Sequence, residues 1–137
     1  MSGRSIAPCG RRTGAGRRQI LGRRGEQLAA DHLQANGFLI QQRNFRCEAG
    51  EMDLVARLAG EVVFVEVKTR RSRRCGLPEE SLTPRKRAHL IAVAQTFLQQ
   101  HSLEDLPWRI DVIAIELDTA GKVRRLHHIE NAVFGQT

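Results

Sequence analysis

Glu66-Val67-Lys68 carries an acid and a base two residues apart, directly after the run Val62-Val63-Phe64-Val65. A run that is apolar on both faces marks a strand buried in the middle of a sheet. Side chains alternate along a strand, so Glu66 and Lys68 share one face and Val67 takes the other. Two charged groups on a central strand keep their solvation only where that end opens into a cleft. One strand earlier, Gly50-Glu51-Met52-Asp53 supplies another acid, and one choice of register sets Asp53 beside Glu66. Two carboxylates at that range repel, and each raises the other's pKa. A divalent cation reverses this, because hard Mg²⁺ takes one or two carboxylates together with waters and phosphate oxygens. Lys68 is then placed to stabilise charge on a phosphate or to orient an attacking water. An isolated Glu-x-Lys is more often a plain ion pair. Its coupling to Asp53, to a helix-borne Glu26 and to a buried strand lifts it above that reading.

The elements that must hold these residues follow from periodicity and turn chemistry. A helix is expected over about residues 20–36, stopped by Gly37. Glu26, Ala29, Ala30 and Leu33 share one face of it, so Glu26 points inward or along the edge of the buried stripe. Strands are expected at 38–46, 51–58 and 61–69, joined by tight turns as an antiparallel meander. Residues 70–82 read as a loop, with Gly76 and Pro78 as breakers. Thr83-Pro84 then supplies an N-cap and a first-turn proline for a helix to about residue 100. Leu90, Ile91, Ala94, Phe97 and Leu98 form its apolar face. A strand at 108–117, a turn at 118–121 and an edge strand at 123–129 complete the order αβββαβ(β), an α/β sandwich with a mixed sheet. Within the fourth strand Asp111 is expected to be structural, pairing with Arg109 or a neighbouring arginine.

Charge is distributed unevenly. The chain has 137 residues with 22 Lys+Arg against 15 Asp+Glu, a net charge of +7. Seven arginines (Arg4, Arg11, Arg12, Arg17, Arg18, Arg23 and Arg24) precede the first acid, so the remainder is neutral by count. Residues 1–19 read as a basic, unstructured tail and 20–137 as one domain. Such a tail attracts polyanions in a salt-sensitive way. A second basic cluster, Arg70, Arg71, Arg73, Arg74, Arg85, Lys86 and Arg87, follows the acids at the strand end, where a phosphate backbone would lie. Six aromatics and no tyrosine disfavour a base-stacking platform. No apolar run approaches the roughly 20 residues of a membrane span, and no secretory signal is visible, so a cytoplasmic protein is expected. Cys9, Cys47 and Cys75 are too scattered for a disulfide scaffold or a zinc site. The five histidines show no metal-ligand spacing and are expected to face solvent or pack.

Asp53…Glu66-x-Lys68 in this element order resembles the PD-(D/E)xK nuclease superfamily, whose core is the restriction-endonuclease-like αβββαβ fold with a central mixed sheet flanked by helices. Four segments together resemble more closely the small bacterial YraN family of predicted endonucleases. They are Gly22-Arg23-Arg24-Gly25-Glu26, residues 44–54 from Asn44-Phe45-Arg46 to Gly50-Glu51-Met52-Asp53-Leu54, residues 63–70, and Thr83-Pro84-Arg85-Lys86. The resemblance spans about residues 20–115, and that family is similar in fold to archaeal Holliday-junction resolvases. It implies that Asp53 and Glu66 ligate one or two Mg²⁺ or Mn²⁺ ions, with the Val67 carbonyl completing the shell and Lys68 catalytic. It further implies that Glu26 joins the site, ligating metal in resolvase-like fashion, and that Lys86 makes an accessory contact. Met52 stands where the superfamily's name has proline, which leaves the ligand set intact. The function so implied is a metal-dependent endonuclease on DNA, structure-specific in repair or recombination, with a homodimer needed to cut two symmetric strands. The competing expectation is a non-catalytic nucleic-acid-binding module on the same frame that recruits repair or recombination proteins.

Overall fold

Residues 61–70 form the central strand of a five-stranded sheet in the computed structural model, which describes residues 15–71 and 82–134. In chain order the elements are α1 (Ala15–Ala35), β1 (Leu39–Cys47), β2 (Gly50–Leu58), β3 (Glu61–Arg70), α2 (Pro84–Gln100), β4 (Trp108–Leu117) and β5 (Val123–Ile129). The strands lie in sequence order, β1-β2-β3-β4-β5. Pairing is antiparallel except between β3 and β4, which are parallel. A parallel pair needs a crossover, and α2 supplies it.

The two helices cover opposite faces of the sheet, and the periodicity of β3 explains why both are needed. Val63 and Val65 pack beneath α1 with Ala29, Ala30, Leu33, Leu54, Ile113 and Ile115. Val62 and Phe64 pack beneath α2 with Phe45, Met52, Val55, Leu90, Val93, Ala94 and Phe97. The α1 face uses small residues, so helix and sheet approach closely. A Cβ on Gly25 would overlap the Thr69 side chain of β3. The α2 face is filled by Phe97, whose ring meets the edges of Phe45 at 5.1 Å and Phe64 at 5.7 Å. This α/β architecture, a mixed sheet flanked by two helices, is consistent with a restriction-endonuclease-like core.

Local signals act where they were expected. Thr83 is the N-cap of α2, its hydroxyl accepting from Lys86 N at 3.1 Å, with Pro84 in the first turn. Gly37, at φ 90, ends α1, and Phe38 N closes the end by donating to Leu33 O at 3.0 Å. Three differences are physical. Helix α1 begins at Ala15, five residues earlier than expected, because the Arg-rich turns before residue 20 contain no helix breaker after Gly16. Strands β1 and β2 are displaced by about one residue at their ends. Val93 lies in the core while Ile91 is only partly covered, since the α2 stripe is centred one position further round the helix. Among the described residues no helix is long and apolar enough to cross a membrane.

Candidate active site

Strands β2 and β3 pair from Leu58↔Glu61 to Leu54↔Val65 and no further. On the other side of β2, pairing with β1 runs to Arg43↔Leu54 and resumes at Phe45↔Met52, passing over Asn44 and Asp53. Both registers extended by one step put Asn44, Asp53 and Glu66 in a row across three strands. The phase of β2 also changes here. Met52 and Val55 both face α2, although they are three residues apart, and Leu54 faces α1. Regular alternation forbids that pattern, so the irregularity sits at Asp53.

This break turns the Asp53 carboxylate into the plane of the sheet. Val62 N donates to Pro107 O on the β4 side. Alternation along β3 therefore directs the backbone groups of Val63, Val65 and Val67 toward β2. Val67 N donates to Asp53 Oδ2 at 2.8 Å, so a side-chain carboxylate stands where a strand backbone would supply the acceptor. From this position Asp53 interacts with acids on both sides of the sheet, Glu66 and Glu26.

Glu66 and Lys68 follow Val62 and Phe64 onto the α2 face. Lys68 Nζ lies 3.0 Å from Glu66 Oε2, and Lys86 Nζ reaches the same oxygen at 3.4 Å from the first turn of α2. Glu66 is buried, with 7% of its surface exposed. Burial first, then the Glu66 charge and more weakly Glu26, push the Asp53 carboxyl from 3.8 up to about 8, against the Val67 amide. Burial likewise raises Glu26, opposed by the Asn44 side chain and the Arg43 charge and reinforced by the charges of Glu51 and Glu66. Burial lowers Lys68 despite its attraction to Glu66. Burial also works against the Lys86 ammonium, but the charges of Glu66 and Asp53 hold it above its ordinary value. Asp53 and Glu66 thus share a site whose two lysines both lean on Glu66.

Among the described residues no three His, Cys, Asp or Glu side chains converge as a ready-made metal cage. The donor set suits a hard cation all the same. Mg²⁺ and Mn²⁺ take oxygen ligands, need only one or two carboxylates and fill the rest with carbonyls, waters and phosphate. A cation bound there would offset the burial and the Glu66 charge that raise the Asp53 carboxyl.

The basic residues divide by position. Arg71, Arg85 and Arg87 are exposed. Arg70 is half-buried, its Nε covered and without a hydrogen-bond partner among the described residues. Arg73 and Arg74 lie outside the described residues, as does residues 1–14 of the expected tail. Two features were not foreseen. Asn44, next to Asp53 in register, stood out only as part of the family-like segment Asn44-Phe45-Arg46, and its left-handed backbone is one that asparagine tolerates. His128 and His32, expected only to pack or face solvent, join a polar chain. His128 Nε2 lies 2.8 Å from Asp111 Oδ2, and its Nδ1 lies 3.2 Å from His32 Nε2. Asp111 also accepts from Arg109 Nε at 2.9 Å, the pairing expected for it. His101 stacks on Phe97, and His89 and His127 are exposed.

Comparison with known proteins reaches the same segments. The profile of the uncharacterised protein family UPF0102 matches residues 25–115, which hold Glu26, Asp53, Glu66, Lys68 and Lys86. A UPF0102 protein of Roseiflexus castenholzii is 48% identical over 119 residues, covering 86% of this chain and 96% of that protein. One from Dehalococcoides mccartyi is 44% identical over 116 residues, covering 85% and 94%. A third, from Pelobacter propionicus, is 47% identical over 113 residues, covering 81% and 80%. With the profile matching most of the chain and relatives this similar along nearly their whole length, the protein belongs to the uncharacterised family UPF0102, the YraN-like family.

Proposed function

We propose that the protein is a Mg²⁺- or Mn²⁺-dependent nuclease of the PD-(D/E)xK kind that hydrolyses phosphodiester bonds in DNA in the cytoplasm. One observation carries the reading: Asp53 and Glu66 meet where β2 and β3 part, with Lys68 Nζ 3.0 Å from Glu66. A binding surface for DNA gains nothing from crowded acids, whereas phosphodiester hydrolysis needs them beside a lysine. Asp53, Glu66 and the Val67 carbonyl would hold one or two cations, which supply Lewis-acid stabilisation of the phosphoryl charge when bound.

The protein's own groups do the rest. Val67 N–H fixes Asp53, and Lys86 and Lys68 fix Glu66, so the acids are oriented before substrate arrives. Lys68 Nζ, its proton loosened by burial, orients the attacking water and offsets charge growing on the phosphate. Arg71, Arg85 and Arg87 carry the phosphate backbone past the site and read no bases. Structure-specific cutting in repair or recombination suits such sequence-blind contacts, and cutting two symmetric strands calls for a homodimer.

The test is a Mn²⁺- and Mg²⁺-dependent cleavage assay at low salt on single strands, duplex, flaps and four-way junctions. Asp53→Ala, Glu66→Ala and Lys68→Ala should each lose about 10³-fold or more in rate, with DNA affinity changed only a few-fold. Full activity in all three overturns the nuclease. DNA binding by a wild type that cuts nothing would favour the recruiting module.

A further inference from the structure

Arg24, Leu28 and His32 recur every four residues and so share one face of α1, the face turned to the β4–β5 hairpin. Arg24 Nε and Nη2 donate to Gly121 O at 3.0 and 2.8 Å, and Leu28 packs in the same core as Leu126 of β5. At the far end His32 Nε2 lies 3.2 Å from His128 Nδ1, the rings meeting edge to face with centroids 5.2 Å apart. Because β5 is an edge strand with one strand neighbour, this stripe of α1 adds a hold on its inner face.

The protons in the histidine contact can be counted. Asp111, completely buried, accepts from Arg109 Nε at 2.9 Å, Arg109 Nη2 at 3.2 Å and the Asn131 amide at 2.9 Å, which keeps it an acceptor-only carboxylate. His128 Nε2, 2.8 Å from Asp111 Oδ2, therefore carries a proton. A neutral imidazole has one, so His128 Nδ1 is bare and His32 Nε2 donates to it. One further proton leaves the contact intact, since one ring is then a charged donor to the other. A second sets N–H against N–H, and cation against cation, across 3.2 Å.

The charged neighbours do not undo that clash. On β4, Asp111 faces His128, and Arg109 is occupied with Asp111 and with Glu61 of β3. Glu130, beyond β5, acts on Arg109. On α1, Asp31 accepts from Gln27 at 2.7 Å and Arg24 is engaged by Gly121. His127 and Arg125 lie on the other face of β5, and Arg124 lies toward the hairpin turn. Between α1 and β1 the neighbour is the uncharged ring of Phe38, 5.9 Å from that of His128. Burial, then the charge of His128, hold His32 below its ordinary 6.5, so the unfolded chain takes that proton at higher pH than the fold does. Stability carried by the contact is complete above 6.5 and is lost as pH falls below it.

We infer that His32 and His128 form a proton-counting latch, which ties the last turn of α1 to the edge strand β5 and releases it when both rings are charged. His128 stays on Asp111 throughout, so β5 keeps its place and the helix end moves. Arg24 on Gly121 and Gly25 against Thr69 hold the first half of α1 in both states. The latch is independent of the nuclease reading.

The test compares wild type with His32→Gln, which offers an amide donor to His128 and takes up no proton. Nitrogen NMR of the histidines at about pH 7.5 should show His128 bare at Nδ1 and His32 protonated at Nε2. The Asn36 and Phe38 amides, which donate to His32 O and Leu33 O, report the last turn by hydrogen exchange. Their protection, corrected for the intrinsic rate, should fall about 10-fold in wild type between about pH 7.5 and about pH 5, and stay within about 2-fold in His32→Gln. An equal fall in both proteins, or none in wild type, would overturn the latch. So would bare nitrogens on both sides of the contact at about pH 7.5. A loss shared by the amides of β3 would mark global unfolding and overturn it as well.

Discussion

Asp53 on β2 and Asp111 on β4 flank the central strand β3, and their environments have opposite effects on the same side chain. Asp111 is completely buried, whereas Asp53 is half-buried. Burial by itself raises both carboxyls. For Asp111 the hydrogen bonds from His128, Arg109 and the Asn131 amide outweigh burial and hold it below the ordinary carboxylate range. For Asp53 the Val67 amide opposes burial, and the neighbouring acids Glu66 and Glu26 add to it. The lesson is that partners decide the sign. Arg109 also reaches Glu61 at 3.0 Å, so the Asp111 region is a satisfied network joining β3, β4 and the segment after β5. Around Asp53 the acids lie close together while both lysines contact Glu66, and perturbed carboxyls of this kind mark candidate functional sites.

The largest expected effect is a difference in sign between the two aspartates. Asp111→Ala takes the shared acceptor from Arg109, His128 and the Asn131 amide and should cost about 3–5 kcal/mol in urea unfolding at neutral pH. Asp53→Asn removes a carboxyl whose ionisation burial and its acid neighbours disfavour, and should leave stability equal or higher by about 1 kcal/mol, while abolishing cleavage. Equal losses in both variants would break the comparison. Next in size is Gly25→Ala, which should cost about 1–3 kcal/mol, because the new methyl overlaps Thr69 and pushes α1 off β3 beside the acids. A change under a few tenths would mean that α1 can shift freely.

The pH dependence of Tm sharpens the contrast further. Asp53 is raised on folding, so its favourable contribution is complete below 3.8 and is lost as pH rises through about 8. Asp111 is lowered on folding, so its contribution is present above the ordinary carboxylate range and is lost as pH falls through its depressed value. Asp53→Asn should therefore flatten the decline on the alkaline side of 3.8, and Asp111→Asn should flatten the acid limb. Millimolar Mn²⁺ should raise Tm by a few degrees above about pH 8 and less as Asp53 protonates, with no response in Asp53→Asn. The smallest effect concerns the periphery. Arg85→Ala and Arg87→Ala should each reduce the salt slope of DNA binding by about 0.9, leaving the cleavage rate of bound DNA unchanged.

Much of the frame was legible because its signals are local. The apolar run of residues 62–65, the Thr83-Pro84 cap and Gly37 each specify their element within a few residues, and β4 and β5 lie where alternation placed them. The Glu66–Lys68 contact follows from strand alternation alone. Asn44 and the His128–Asp111 bond were hidden for the opposite reason. Asn44 comes beside Asp53 only through the β1–β2 register, and His128, 17 residues from Asp111 in sequence, meets it across the β4–β5 pair.

The amino-acid sequence by itself determined which residues form helix and strand, which face of each is apolar, and that an acid and a lysine share one face of a buried strand. Those properties arise from interactions among residues a few positions apart. Tertiary structure alone decided that Asp53 enters the plane of the sheet and meets acids from both faces, while Asp111 finds an arginine, a histidine and an amide. Charge interactions act through space and depend on burial, so the same residue type two strands apart takes opposite roles only once the sheet has closed.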